Sequence, residues 1–132
     1  MAITNLDHVV IAVNDLDAAT KTWQENFGLP LERSGKNDAM GINQAILPLG
    51  SAFIELISPL SDTGPVADAL KNKGEGLYLI SLAVDDMAAT LEELRGKGVR
   101  VNDPPAGGTV TFISPRAANG VLVQLVERRS QG

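Results

Sequence analysis

The sequence contains no cysteine, and this absence removes several chemistries at once. Without a thiol, the chain cannot form disulfide bonds, use a cysteine nucleophile or hold a metal through thiolates. The amino terminus also lacks the basic segment, apolar run and cleavage site that mark an exported protein. We therefore expect a cytoplasmic protein.

Basic charge and long apolar runs are also scarce. The chain has 11 Lys and Arg residues against 16 Asp and Glu residues, which gives a net charge of −5. Such a chain offers no basic surface for a nucleic acid backbone. No apolar run approaches the roughly 20 residues that a membrane helix needs. We expect neither nucleic acid nor membrane partners, and 132 residues with 44% hydrophobic content predict one domain over residues 1–132.

Histidine is nearly absent as well, and the one histidine, His8, lies in a stretch that recurs. Residues 6–19, LDHVVIAVNDLDAA, are echoed at 77–90 by LYLISLAVDDMAAT, with an offset of 71 residues. This alignment makes Leu79 equivalent to His8. The echo predicts two tandem modules, at about residues 4–60 and 75–128.

Each module shows the pattern of a strand, a helix and three further strands. In the first module, alternating β-branched residues at 9, 11 and 13 predict a strand. Asn14 is then expected to cap a helix that ends at Gly28, and Asp85 to cap the equivalent helix. The turn-forming segment 34–41 predicts a loop after a short strand at 31–33. The expected fold class is α/β, or α+β, with two βαβββ modules and strands in the first module at Ile42–Leu47 and Ala52–Ser58.

This arrangement, opened by LDHVVIAV and closed by FISPRAANGVLVQLVE, resembles the vicinal oxygen chelate superfamily, which includes glyoxalases, antibiotic-resistance proteins and extradiol dioxygenases. The segments LDHVVIAVNDLDAA, AILPLGSAFIELISPLS and VDDMAATLEELRGKGV are similar to the methylmalonyl-CoA epimerase branch. The resemblance implies a partly open, U-shaped mixed sheet around a cleft that holds a divalent metal. It also implies a homodimer.

In the metal-binding members of that superfamily, each module supplies one ligand from its first strand and one from its last. The last strands align as FIEL at 53–56 and LVQL at 122–125, so Gln124 is equivalent to Glu55. The resemblance thus implies a zinc, cobalt, nickel, manganese or iron ion on His8, Glu55 and Gln124. Leu79 stands where a further ligand is expected, and its side chain has no lone pair to donate.

The resemblance also implies roles for residues around that set. Glu55 is the expected catalytic residue, because Gln44 and Gln124 stand at the positions of the two epimerase bases and an amide cannot accept a proton from carbon. The implied substrate-binding residues are Gln44, Leu79 and Arg116.

Two functions of different classes fit these residues. The first is an epimerase, isomerase or lyase that acts on a small carbonyl compound or an acyl-CoA thioester through a degenerate metal site. The second is a metal-free small-molecule-binding protein, of the antibiotic-sequestering kind, that uses the same cleft. Leu79 favours the binding protein, whereas the retained pair of His8 and Glu55 favours the enzyme. Each residue of that pair also has a non-functional interpretation. His8 could be a structural residue held by hydrogen bonds, and Glu55 could be a solvated residue on an edge strand.

Overall fold

A computed structural model describes residues 3–105 and 108–128. This part of the chain forms seven strands and three helices, which make one complete βαβββ module, a connecting helix and a second module with one strand fewer. Their order and bounds are β1 Ile3–Ala12, α1 Leu16–Phe27, β2 Arg33–Asn37, β3 Ile42–Leu49, β4 Ala52–Pro59, α2 Pro65–Lys73, β5 Gly76–Val84, α3 Met87–Gly96, β6 Val110–Ile113 and β7 Val123–Glu127. A short 3-10 turn, Pro115–Ala117, lies between β6 and β7.

The strand order is β2-β3-β4-β1-β5-β7-β6. β1 and β4 run parallel, as do β5 and β7, while the β2–β3, β3–β4 and β6–β7 pairs are antiparallel. This mixed sheet confirms the predicted fold class. The second module departs slightly from the pattern, since two strands instead of three follow its helix in the described residues, and Val101 makes a single bridge with Ile113.

Both module helices begin at an aspartate, one residue later than the sequence predicted. Asp15 caps α1 by accepting a hydrogen bond from the Ala18 N–H at 3.0 Å, and Asp86 caps α3 through the Ala89 N–H at the same distance. The predicted caps Asn14 and Asp85 are therefore wrong. The backbone N–H of Asn14 instead donates to Glu75 Oε2 at 2.8 Å. Gly28 ends α1 in the left-handed conformation, with φ 67°, as predicted.

The predicted loop at 34–41 is wrong over its first half. Arg33–Asn37 forms the edge strand β2, paired antiparallel with β3, and the turn occupies only residues 38–41. Because β2 lies at the edge and is largely exposed, its residues need not alternate between polar and apolar, so the strand has no hydrophobic signature.

The described residues fall into two compact units, which we name after residues that they contain. The His8 unit comprises residues 8–78, and the Gln124 unit comprises residues 3–7, 79–105 and 108–128. In the His8 unit, three fully buried residues of β3 and β4, Ala45, Leu47 and Leu56, form a core against which Trp23 of α1 packs. Side chains alternate between the faces of a strand, so α1 covers the face of these residues and not the opposite face.

The Gln124 unit has its own core beneath α3. Its buried residues are Val84, Met87, Leu91, Ile113, Val123 and Leu125. Across the same unit, Arg128 donates two hydrogen bonds to the carboxylate of Asp7, at 3.0 and 3.2 Å.

No helix in the described ranges combines the length and apolar character of a membrane span.

Candidate functional site

His8 and Glu55 lie on the face of the His8 unit that α1 does not cover. In the parallel pairing of β1 with β4, Val10 is opposite Glu55 and His8 is opposite Phe53. Alternate residues of a strand share a face, so His8 and Glu55 project to the same side, away from Leu56 and its core. The register of two parallel strands therefore brings together residues that are far apart in sequence.

The two side chains are in contact. His8 Nε2 lies 3.5 Å from Glu55 Oε1, and the imidazole ring stacks on Phe53 with 4.3 Å between ring centroids and 11° between planes. The His8 side chain is buried, and that of Glu55 is 15% exposed. Stacking fixes the plane of the imidazole, while Glu55 stays within reach of a ligand.

Burial of Glu55 raises the pKa of its carboxyl above the ordinary value of 4.5, and the positive charge of Arg33 partly offsets this rise. Removal from water disfavours the charged form of a carboxyl. The carboxylate of Glu55 is accordingly a stronger base than that of an exposed glutamate.

Gln44 lies on the same face as Glu55. In the β3–β4 pairing, Ile46 is opposite Glu55 and Gln44 is opposite Ile57, so Gln44 is displaced from Glu55 by two residues along the strands. Gln44 is half-buried. Its amide can hydrogen-bond a ligand but cannot act as a base.

The Gln124 unit repeats the same register. Ser81 is opposite Gln124 in the β5–β7 pairing, just as Val10 is opposite Glu55 in the β1–β4 pairing. This register confirms the offsets of the repeat. Ser81 was missed as a candidate, although a polar residue in an apolar strand was a visible signal. Its fully buried hydroxyl donates a hydrogen bond to Gln124 Oε1 at 2.7 Å.

The other two predicted ligand-binding residues also belong to the Gln124 unit. Leu79 is buried, with 5% exposure, and it shares the strand face of Ser81. Arg116 lies exposed in the short 3-10 turn, where its N–H donates to Ser114 Oγ at 3.3 Å.

The donor set does not fit the divalent metal that the resemblance implies. Such an ion normally takes at least three nitrogen, oxygen or sulfur side-chain ligands. His8 and Glu55 supply two within the His8 unit, Leu79 supplies none, and Gln124 offers a neutral amide oxygen, a weak donor that also accepts the hydroxyl hydrogen of Ser81. Within residues 3–105 and 108–128, no group of three or more His, Cys, Asp or Glu residues is placed to hold a metal.

Comparisons with known proteins agree with this fold. Residues 7–114 match the family described as the Glyoxalase/Bleomycin resistance protein/Dioxygenase superfamily. The chain is 33% identical to the ethylmalonyl-CoA/methylmalonyl-CoA epimerase of Cereibacter sphaeroides, over 93% of this chain and 97% of the relative.

Solved structures of methylmalonyl-CoA epimerases also resemble this chain. The crystal structure of methylmalonyl-CoA epimerase from Mycobacterium tuberculosis is similar with a TM-score of 0.85 and 35% identity, over 98% of this chain and 91% of that one. A variant of Streptomyces coelicolor methylmalonyl-CoA epimerase in complex with 2-nitronate-propionyl-CoA has a TM-score of 0.86 and 30% identity, over 98% of this chain and 100% of that one.

Proposed function

Because the chain belongs to the Glyoxalase/Bleomycin resistance protein/Dioxygenase superfamily, we propose that it is an isomerase that removes and returns the α-proton of an acyl-CoA thioester, with Glu55 as the base. The observation that carries this proposal is the contact between Glu55 and His8 on the face of the unit that α1 leaves uncovered. The acyl-CoA substrate class is supported by relatives that are epimerases of ethylmalonyl-CoA and methylmalonyl-CoA.

The reaction begins with the ionised carboxylate of Glu55. The carboxylate takes the proton from the carbon next to the thioester carbonyl, and the C–H electron pair becomes the carbon–carbon double bond of an enolate. The carbonyl π electrons move to oxygen. Return of the proton from the Glu55 carboxyl to the carbon reverses these changes, whereas protonation of the opposite face by a water molecule inverts the configuration and leaves the Glu55 proton to be released to solvent. Burial supports the first step because it makes the carboxylate more basic.

His8 is a positioning residue in this scheme. Its imidazole is held flat against Phe53 and meets Glu55 Oε1 with Nε2. At 3.5 Å this contact is longer than an ordinary hydrogen bond, so its effect is to restrict the position of the carboxylate. A fixed carboxylate loses less freedom when it reaches the α-proton.

The test is exchange of the α-proton of methylmalonyl-CoA in heavy water, followed by proton NMR. We expect the protein to replace the α-proton by deuterium faster than a protein-free control does. Exchange at the control rate would contradict the proposal. Saturable binding of the thioester without exchange would instead favour the small-molecule-binding alternative.

The donor set also predicts that the protein, purified without chelator or affinity tag, contains no stoichiometric divalent metal. One imidazole, one carboxylate and a neutral amide oxygen are a weaker set than the charged and imidazole ligands that hold zinc in known sites. Elemental analysis of the protein and of a His8→Ala variant measures this directly. One metal ion per chain that is lost in the variant would overturn the prediction and restore His8 as a ligand.

The homodimer implied by the resemblance and the cytoplasmic location expected from the sequence both stay predictions. Light scattering coupled to size-exclusion chromatography measures the first, and cell fractionation measures the second.

A further inference from the structure

Gln44 lies diagonally across from Glu55 on the face that α1 does not cover. Gln44 of β3 is opposite Ile57 of β4, which follows Glu55 by two residues. Diagonal neighbours on paired strands are roughly 7–8 Å apart, a distance that long side chains can span. A small group held between the two side chains can therefore contact the carboxylate of Glu55 at one end and the amide of Gln44 at the other.

The amide of Gln44 is open to a ligand. No described residue is hydrogen-bonded to it, and every buried side-chain nitrogen or oxygen in the described ranges has a partner. The unpaired amide must therefore reach solvent, although the residue as a whole is half-buried. Its two N–H groups are free to donate to an acceptor on a ligand.

Gly35 leaves open space beside this amide. In the β2–β3 pairing Gly35 is opposite Gln44, so the neighbouring position on the edge strand carries no side chain. A Cβ atom at Gly35 would meet nothing within 4 Å in the described part of the chain, its two sequence neighbours aside. Its φ is not positive, so neither packing nor backbone conformation requires glycine. Glycine inside a strand often marks a place where a ligand approaches closely.

The proposed reaction needs a hydrogen-bond donor beside Glu55. Removal of the α-proton places negative charge on the thioester oxygen, and donors positioned before that charge forms stabilise it. The basic residues that share this face in the described strands of the His8 unit, His8 and Arg33, are engaged elsewhere. His8 Nε2 meets the carboxylate of Glu55, and the exposed guanidinium group of Arg33 pairs with Glu32. The unpaired amide of Gln44 is the donor that remains next to the base.

We infer that the amide of Gln44 donates a hydrogen bond to the carbonyl oxygen of the thioester, in the space beside Gly35, and stabilises the enolate. The inference rests on the proposed function for the thioester ligand. As the α-proton moves to Glu55, the oxygen becomes negatively charged and the hydrogen bond strengthens. Gln44 is thus a catalytic residue that contributes more in the transition state than in the bound substrate.

Gln44→Met tests this role, because methionine has nearly the length of glutamine but no N–H donor. At saturating methylmalonyl-CoA, α-proton exchange should slow by about 100- to 1,000-fold, the usual loss when one oxyanion donor is removed. KM should change much less than kcat. Gln24→Met is the matched control, because Gln24 is exposed on α1, on the other side of the sheet. Exchange by Gln44→Met at the rate of Gln24→Met would overturn the inference.

Gly35→Val blocks the space without removing the amide. Valine favours strands and its Cβ meets nothing at this position, so the melting temperature should not fall. The valine side chain would occupy the space beside Gln44, and exchange should slow by about 10- to 100-fold because the thioester is displaced. Ser34→Val, on the opposite face of the same strand, should exchange at the wild-type rate. Equal rates in the two valine variants would contradict a ligand beside Gly35.

Isothermal titration calorimetry separates this inference from the proposed function, because binding needs no turnover. Propionyl-CoA and its thioether analogue S-propyl-CoA differ in the carbonyl oxygen. Wild-type protein should bind propionyl-CoA about 3- to 10-fold more tightly, the scale of one neutral hydrogen bond, and Gln44→Met should bind the two equally. An unchanged preference in Gln44→Met would overturn the inference even if the wild type exchanges the α-proton. A preference that depends on Gln44 without any exchange would sink the proposed function and leave the hydrogen bond to the carbonyl oxygen.

Discussion

Glu55→Gln is expected to slow exchange of the α-proton of methylmalonyl-CoA by roughly 100- to 10,000-fold, the usual contribution of a general base. Glutamine has nearly the same shape as glutamate but cannot accept the proton. Deuterium incorporation measured by NMR under saturating thioester gives the rate. Because the substitution keeps the size of the side chain, the stack of His8 on Phe53 should persist and thioester binding should change little.

Glu25→Gln is the matched control for this substitution. Glu25 lies on α1, is 65% exposed and pairs with Lys21 at 3.9 Å, so the same chemical change occurs far from the proposed base. We expect its exchange rate to match that of the wild type. If Glu55→Gln were as active as Glu25→Gln, Glu55 could not be the base.

The raised pKa of Glu55 gives the same variant a pH signature. The wild-type rate of α-proton exchange should fall as pH drops through a value above 4.5, since only the ionised carboxylate is a base.

The contribution of Glu55 to the stability of the fold should instead increase as pH drops. A carboxyl whose folded-state pKa is raised stabilises the fold below its unfolded pKa, and this contribution is lost as pH rises through the folded value. Glu55→Gln should therefore raise the melting temperature at pH 7 relative to wild type, and the gain should shrink as pH falls towards 4.5.

The internal repeat is the reason that the sequence predicted so much of the site. Two copies of one module must pair their strands in equivalent ways, so the offsets of 71 and 69 residues that align them also predict equivalent registers. The parallel pairs Val10–Glu55 and Ser81–Gln124 have that relation. The repeat predicts which residues are equivalent, whereas the placement of His8 beside Glu55 was implied by the resemblance to the superfamily, and the two side chains do lie 3.5 Å apart.

The residues that escaped prediction are those whose positions depend on pairing with a distant strand. The sequence pattern places Arg33 at the end of a short strand before a loop, because an exposed edge strand shows no hydrophobic alternation. Only its pairing with β3 shows that it shares the face of Glu55. Ser81 was likewise read as one residue of an apolar strand, and its hydrogen bond to Gln124 follows from the β5–β7 register. Local sequence patterns predict strands and helices, whereas the residues that a side chain meets on the adjacent strands depend on how the whole sheet is paired.

Leu47→Ala is expected to lower the free energy of unfolding by about 2–5 kcal/mol, the usual cost of removing a fully buried leucine side chain. Leu47 of β3 has no exposed surface and packs in the core that Trp23 covers. The loss should appear as a lower urea midpoint with an unchanged slope.

Leu49→Ala tests whether burial, rather than the loss of any leucine from β3, is the cause. Leu49 lies two residues further along the same strand, but it is 53% exposed, so its replacement should change the unfolding free energy by no more than about 0.5 kcal/mol.

The side chains of Leu47 and Leu49 both project away from the face that carries Glu55. Exchange of the α-proton at a temperature where Leu47→Ala is still folded should therefore stay near the wild-type rate, because the substitution weakens the α1 side of the sheet and leaves the Glu55 side intact. Equal destabilisation by the two variants would show that the core against α1 is not where the stability of this unit lies.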